Sequence, residues 1–170
     1  AQHLSPSYKS MLVQLLGRAT RLEVVEVNNG ISVETGKVYI TPPDSEISIK
    51  NNTLYLNKPS IGAGPKPSID VFFQSLANDK HDSAIGVILS GTGSDGANGI
   101  RAIKDVGGFT IAQEPQTAKY DGMPLAAIHT EKIDVVLSPD KMGEEIRDFL
   151  VNPRVAISSS NESHETGSMN

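Results

Sequence analysis

The chain has 170 residues, with 15 Lys and Arg against 20 Asp and Glu and a formal net charge of −5. This length suits one domain with a hydrophobic core, and the lack of a basic cluster argues against nucleic-acid binding. The chain contains no Cys, which excludes disulfides and thiolate metal sites and fits a reducing compartment. No apolar run reaches the roughly 20 residues of a membrane span, and the first residues do not resemble a signal peptide. We therefore expect a cytoplasmic protein with no membrane insertion.

The first third of the chain predicts one helix followed by short strands. Ser5-Pro6 is a favourable helix start, and an apolar stripe with helical spacing follows as far as Leu16, before Gly17. Turn sequences then separate four β-like segments, of which the last two predict a hairpin. The four segments are Glu23–Val27, Lys37–Thr41, Glu46–Lys50 and Thr53–Leu56.

After a loop rich in Pro and Gly at 59–66, strands and helices alternate. The predicted order is a helix from Pro67-Ser68, strand Ile85–Leu89, helix Asp95–Val106, strand Phe109–Gln113, helix Pro124–Ile128, strand Ile133–Leu137 and helix Pro139–Leu150. Such alternation predicts an α/β fold with a doubly wound, mostly parallel sheet, helices on both faces and a small inserted hairpin. We expect a domain over residues 1–152 and a polar linker or disordered tail over 153–170.

A Gly-rich turn follows the apolar strand that ends at Leu89. Its letters, Gly91-Thr92-Gly93-Ser94-Asp95-Gly96, match G-x-G-x-x-G, and a helix follows. That pattern is typical of a dinucleotide-binding turn, in which pyrophosphate binds the helix N-terminus. Two alternatives remain open: Asp95 caps the following helix, or it is a catalytic carboxylate at the active edge of the sheet.

Two physical arguments count against a dinucleotide. A carboxylate at Asp95 would repel phosphates and occupy the N–H groups that bind them. The fingerprint also usually occupies the first strand–helix turn of its domain, whereas several elements precede this one. No pair among the four histidines has the i, i+4 spacing of a helical metal site. We therefore expect neither a cofactor nor a protein-held metal.

The segment LSGTGSDGANG at 89–99 closely resembles the signature around the catalytic aspartate of the chemotaxis protein-glutamate methylesterases, the CheB family. Further motifs follow in that family's order over nearly all of residues 1–150. They are Gln2-His3-Leu4, Lys37–Pro43, Pro67–Ala77, Phe109–Glu114 and Gly122-Met123-Pro124.

The resemblance implies a Ser-His-Asp hydrolase that releases methanol from glutamate methyl esters. His3 is then the general base and Asp95 the carboxylate that orients it. An imidazole needs such an acceptor to fix its tautomer and to stabilise the imidazolium. We expect backbone N–H groups at Gly91, Thr92 and Gly93 to stabilise the oxyanion, with Met123 beside the same groove.

Two departures from the family pattern affect this expectation. The family's nucleophilic serine lies in a Gly-rich motif upstream of its histidine, whereas this chain begins almost at His3. Ser90 and Ser94 do not fit G-x-S-x-G, so we expect a fragment without its nucleophile, inactive alone and lacking the first strand–helix unit of the sheet. Thr92 also occupies a position where the family commonly has Met.

The implied partners are the methylated cytoplasmic helices of chemoreceptors. The polar tail suggests that another domain follows, and the chain looks similar to a piece of those relatives in which the methylesterase domain is fused to a methyltransferase. Two other functions stay open: a dinucleotide-binding domain that uses Gly91 to Gly96, and a non-catalytic interaction module that keeps the fold.

Overall fold

The computed structural model describes residues 11–43, 45–58 and 68–152. The predicted helix start at Ser5-Pro6, the loop at 59–66 and the tail at 153–170 lie outside these residues. The described residues form five α-helices: α1 (Leu12–Ala19), α2 (Ile69–Lys80), α3 (Ala97–Asp105), α4 (Gly122–Ile128) and α5 (Pro139–Val151).

Eight strands in the described residues form three sheets. The strands are β1 (Glu23–Glu26), β2 (Ile31–Ser32), β3 (Lys37–Ile40), β4 (Glu46–Lys50), β5 (Thr53–Asn57), β6 (Ile85–Ile88), β7 (Phe109–Gln113) and β8 (Val135–Leu137). β1 and β3 pair in parallel, β2, β5 and β4 form an antiparallel sheet in that order, and β6, β7 and β8 form a parallel sheet. The predicted hairpin is β4 and β5, joined by Asn51 and Asn52 with positive φ values of 51° and 60°.

The parallel sheet β6–β7–β8 carries helices on both faces, as the sequence predicts. On one face Ile88 and Ala112 pack in a cluster with residues of α2, α3 and α4. On the other face Phe109 and Ile111 pack against α5, where the rings of Phe109 and Phe149 stack with their centroids 4.3 Å apart. Since the strands run in parallel, the loops after β6 and β7 meet at one edge of the sheet.

Helix α2 joins the parallel sheet to the hairpin sheet. Phe73 lies in the cluster of the parallel sheet, and Phe72 and Leu76 pack against both that cluster and the apolar residues of the hairpin sheet. A largely apolar cavity of about 480 Å³ lies between α1, β3, the hairpin and α2, and Leu89 contributes to its wall. Its lining does not include Asp95 or the glycines of the turn.

Most predicted elements are confirmed, and the differences are shifted ends and one additional short strand. Gly17 does not end α1, which continues to Ala19. The two-residue strand β2 was not predicted, because two residues show no periodicity. Helix α3 begins at Ala97 instead of Asp95, so Asp95 lies in the turn that precedes the helix.

Candidate active site

The Gly-rich turn connects β6 to α3 at the carboxyl edge of the parallel sheet. Gly93 and Gly96 have φ values of 85° and 98°, which residues with a Cβ rarely adopt. Gly96 is also enclosed, because a Cβ there would lie 2.5 Å from a side-chain atom of Ile88 and 3.1 Å from Ile69. The two glycines thus bring Asp95 to the N-terminus of α2.

The carboxylate of Asp95 caps α2. Its Oδ2 accepts the Ile69 N–H at 2.8 Å, and its Oδ1 accepts the Asp70 N–H at 3.1 Å. These are the first two residues of α2, whose N–H groups have no partner within the helix. The interpretation of Asp95 as the cap of its own following helix is therefore wrong. The Ser68 Oγ also lies 3.5 Å from Asp95 Oδ1.

Asp70, in the first turn of α2, caps α3 in return. Its Oδ1 accepts the Gly96 N–H at 3.0 Å and the Gly99 N–H at 2.7 Å, and its Oδ2 lies 3.4 Å from Asn98 Nδ2. The N-cap residue of α3, Gly96, has no side chain to do this. Asp95, in the turn before α3, therefore caps α2, and Asp70 of α2 caps α3.

This reciprocal capping argues against a dinucleotide at the turn. Pyrophosphate would need the free N–H groups at the N-terminus of α3, and the Asp70 carboxylate already accepts two of them. A bound phosphate would also lie close to two carboxylates. The match to G-x-G-x-x-G thus reflects a tight turn between strand and helix.

The loop after β6 is attached to the loop after β7. Gln113, only 5% exposed, accepts the Ser90 N–H at 2.8 Å through Oε1 and donates from Nε2 to Thr117 Oγ1 at 3.1 Å. The Ser90 hydroxyl oxygen in turn accepts the Tyr120 N–H at 3.0 Å. These bonds hold the start of the Gly-rich turn in one position.

The three predicted oxyanion donors are not equivalent. The Gly91 N–H donates to the Tyr120 carbonyl at 2.9 Å, so it already has an acceptor, and its predicted oxyanion role has the least support of the three. The N–H groups of Thr92 and Gly93 make no hydrogen bond within the described part of the chain. Both residues are exposed at the edge of the sheet, which leaves them as the candidates for this role.

Met123 supports the turn from the protein interior. Its N–H donates to the Gly91 carbonyl at 2.9 Å, and its side chain is 7% exposed within the core cluster. A Cβ on Gly91 would lie 2.3 Å from the Met123 sulfur, and one on Gly122 would lie 3.1 Å from the Gly93 nitrogen. Met123 thus packs beneath the turn as a core residue, and its expected place beside the substrate groove stays a prediction.

The predicted general base, His3, lies outside the described residues. Among the residues described, no group of three His, Asp or Glu could hold a metal ion, and no helix is long and apolar enough to cross a membrane.

Sequence reasoning missed Asp70 and Gln113. An acidic residue in a first helical turn is so common that Asp70 indicates nothing more than a favourable helix start. Gln113 offered a better signal, because an amide at the carboxyl end of an otherwise apolar parallel strand must find partners inside the protein.

Comparison with known proteins identifies the family. The model of the CheB methylesterase family matches residues 1–146, so the chain belongs to the CheB methylesterase family. The crystal structure of the Thermotoga maritima CheB methylesterase catalytic domain superposes with a TM-score of 0.81 and 30% sequence identity, covering 87% of this chain and 80% of that one.

Curated relatives agree with this assignment. A putative protein-glutamate methylesterase/protein-glutamine glutaminase of Leptospira interrogans is 34% identical over 146 residues, which cover 84% of this chain and 75% of that protein. The protein-glutamate methylesterase/protein-glutamine glutaminase of Photorhabdus laumondii is 33% identical, and an uncharacterised 104.1 kDa protein of Rhodobacter capsulatus is 37% identical. The match covers 85% of this chain in both cases, but only 43% of the Photorhabdus and 15% of the Rhodobacter protein.

Proposed function

We propose that the protein containing this chain hydrolyses glutamate methyl esters on the cytoplasmic helices of chemoreceptors and releases methanol. Asp95 orients the general base, His3, and the nucleophile is a serine that these residues do not supply. Without that serine the chain alone is inactive. The observation that carries the proposal is the Asp95 carboxylate, fixed by two backbone N–H groups at the carboxyl edge of the sheet.

The proposed chemistry follows the general Ser-His-Asp scheme. The imidazole removes the proton of the serine hydroxyl, whose oxygen attacks the ester carbonyl, and the imidazolium then protonates the departing methoxide as methanol. Water hydrolyses the acyl-enzyme by the same steps and leaves a glutamate carboxylate on the receptor. Asp95 holds the imidazole tautomer and stabilises its positive charge.

The contacts of Asp95 suit this role. Two backbone N–H groups at the start of α2 hold its two oxygens in place, and a carboxylate held in this way cannot turn away from a neighbouring imidazole. The Thr92 and Gly93 N–H groups lie on the same turn, where they could stabilise the tetrahedral oxyanion. A side chain is not needed for that task, so Thr92 in place of Met leaves it intact.

The test is methanol release from methylated chemoreceptor by the full-length natural protein. We expect Asp95→Asn to lower kcat by about 10³–10⁴-fold, because a neutral amide neither fixes the imidazole tautomer nor stabilises its positive charge, while the amide oxygen keeps one of the two bonds to α2. His3→Ala should have an effect of similar size.

Asp121→Asn is the matched control, since Asp121 is an exposed carboxylate on the neighbouring loop whose side chain makes no capping bond. It should keep the kcat of the unmodified protein. Unchanged kcat in Asp95→Asn would remove Asp95 from the mechanism, and a full-length protein that releases no methanol would refute the proposed function itself.

A further inference from the structure

We propose that Asp70 is a positioning residue for Asp95, and that its carboxylate fixes the backbone turn on which Asp95 is carried. The inference rests on the proposed function, because the position of Asp95 affects the rate only if Asp95 orients the base.

Asp70 holds both the side chain of Asp95 and the backbone of the residue that follows it. The backbone N–H of Asp70 donates to Asp95 Oδ1 at 3.1 Å. The side chain of Asp70 accepts the N–H of Gly96, which directly follows Asp95, and that of Gly99 in the first turn of α3. Any movement of the turn relative to α2 would therefore stretch bonds at two places.

Within the described part of the chain, the Gly96 and Gly99 N–H groups have no acceptor other than Asp70. Gly96 and Gly99 are buried, and α3 has no side-chain cap of its own within the described residues. Removing the Asp70 carboxylate would leave two buried N–H groups without a partner, which a protein relieves by shifting its backbone. The residue that moves with Gly96 is Asp95.

A shift of this kind acts on the chemical step. Displacing a catalytic group by about 1 Å can cost about 10²-fold in rate. Asp70 does not belong to the proposed substrate-binding turn, so its loss should lower kcat and leave KM nearly unchanged. A purely structural residue would change neither at temperatures well below the unfolding transition.

Two conservative substitutions of Asp70 distinguish the effect of its oxygen position from the effect of its charge. In Asp70→Asn the Oδ1 oxygen, which accepts both glycine N–H groups, is retained, and only the charge and the Asn98 contact are lost. In Asp70→Glu the charge is retained, but the extra methylene moves the carboxylate away from Gly96 and Gly99. We therefore expect an active Asn variant and an impaired Glu variant.

Asp79 provides a matched control on the same helix. Its carboxylate also accepts two backbone N–H groups, those of Asn51 and Asn52, but it does so at the opposite end of α2. Asp79→Ala should lower the melting temperature without changing kcat.

The experiment measures kcat and KM for methanol release by the full-length natural protein and its variants. We expect kcat to fall by about 10²-fold in Asp70→Ala and Asp70→Glu, and by no more than about 10-fold in Asp70→Asn, with KM changed less than about 3-fold. Amide hydrogen exchange should show that Gly96 and Gly99 lose protection in the Ala and Glu variants and keep it in Asp70→Asn.

The Asn and Glu variants decide the question even if Asp70→Ala does not fold. A fully active Asp70→Glu beside an inactive Asp70→Asn would overturn the inference, because charge and not position would then matter. Unchanged kcat in every Asp70 variant would overturn it too. If Asp95→Asn is impaired in the same assay, such a result refutes the role of Asp70 alone; if Asp95→Asn is also fully active, the proposed function of Asp95 has failed.

Discussion

Helices α2 and α5 have 12 and 13 residues but are held in place in different ways. The polar contacts of α2 reach residues that are distant in sequence, at Asp95 near its start and at the Asn51-Asn52 turn near its end. The hydrogen bonds described for side chains of α5 stay within three residues, as between Arg147 and Glu144.

The two helices accordingly have different tasks. Helix α5 covers one face of the parallel sheet with apolar side chains, chiefly Met142 and Phe149. Helix α2 connects the hairpin, the parallel sheet and the Gly-rich turn, and its position decides where Asp95 lies. A helix that covers a sheet tolerates small displacements, whereas one that carries a site does not.

The largest effect on stability should come from a Cβ added where α3 packs against α2, compared with one added on α5. A Cβ on Gly99 would lie 2.5 Å from the Cβ of Phe73 on α2, so Gly99→Ala pushes α2 and α3 apart. We expect a loss of about 1–3 kcal/mol in the free energy of unfolding, measured by urea denaturation of this chain.

Gly143→Ala on α5 is the matched control, because nothing lies within 4 Å of a Cβ there. It should stabilise the protein by about 0.5–1 kcal/mol, since Ala loses less backbone entropy than Gly in a helix. Equal effects of the two substitutions would show that α2 is not packed more tightly than α5.

A smaller effect is expected at Asp79. Burial raises the pKa of its carboxyl group, but the N–H of Asn52, the Lys80 ammonium and the N–H of Asn51 together hold that pKa below its usual 3.8. Asp79→Ala leaves two N–H groups of the hairpin turn without their acceptor. We expect it to cost about 1 kcal/mol in the free energy of unfolding at neutral pH.

The pH dependence of this stability loss tests whether the charge of Asp79 causes it. Because the folded-state pKa of Asp79 is depressed, its contribution is present above 3.8 and is lost as the pH falls through the folded-state value. The difference between Asp79→Ala and the unmodified chain should therefore shrink in acid. A difference that stays constant with pH would exclude the charge of Asp79 as its source.

The smallest effect should come from Asp140, in the first turn of α5. The Ser138 hydroxyl holds the pKa of this carboxyl below its usual 3.8. The side chain is exposed to solvent, so salt screens its interaction with the helix dipole. Asp140→Asn should slightly lower the melting temperature at low ionic strength and leave it unchanged in high salt. A salt-independent decrease would contradict this local, screened origin.

The sequence predicted most of the fold, because its signals are local. Ser68 before an amphipathic run marks the start of α2, and Asn51-Asn52 between two β-like segments marks the hairpin. Alternating strands and helices then predict the parallel sheet with helices on both faces. Motif resemblance singled out Asp95 without any geometry, and the roles of Asp95 and His3 stay predictions.

Tertiary structure alone decided what Asp95 binds. Asp95 stands before α3 in sequence and so was a natural cap for that helix, yet it caps α2, while Asp70 caps α3. A carboxylate bonds whichever free N–H groups lie within about 3 Å, and the packing of α2 against α3 determines which these are. Hydrophobic periodicity and turn chemistry can be recognised within a few residues. Bonds that join residues 25 or more positions apart exist only once the helices have come together.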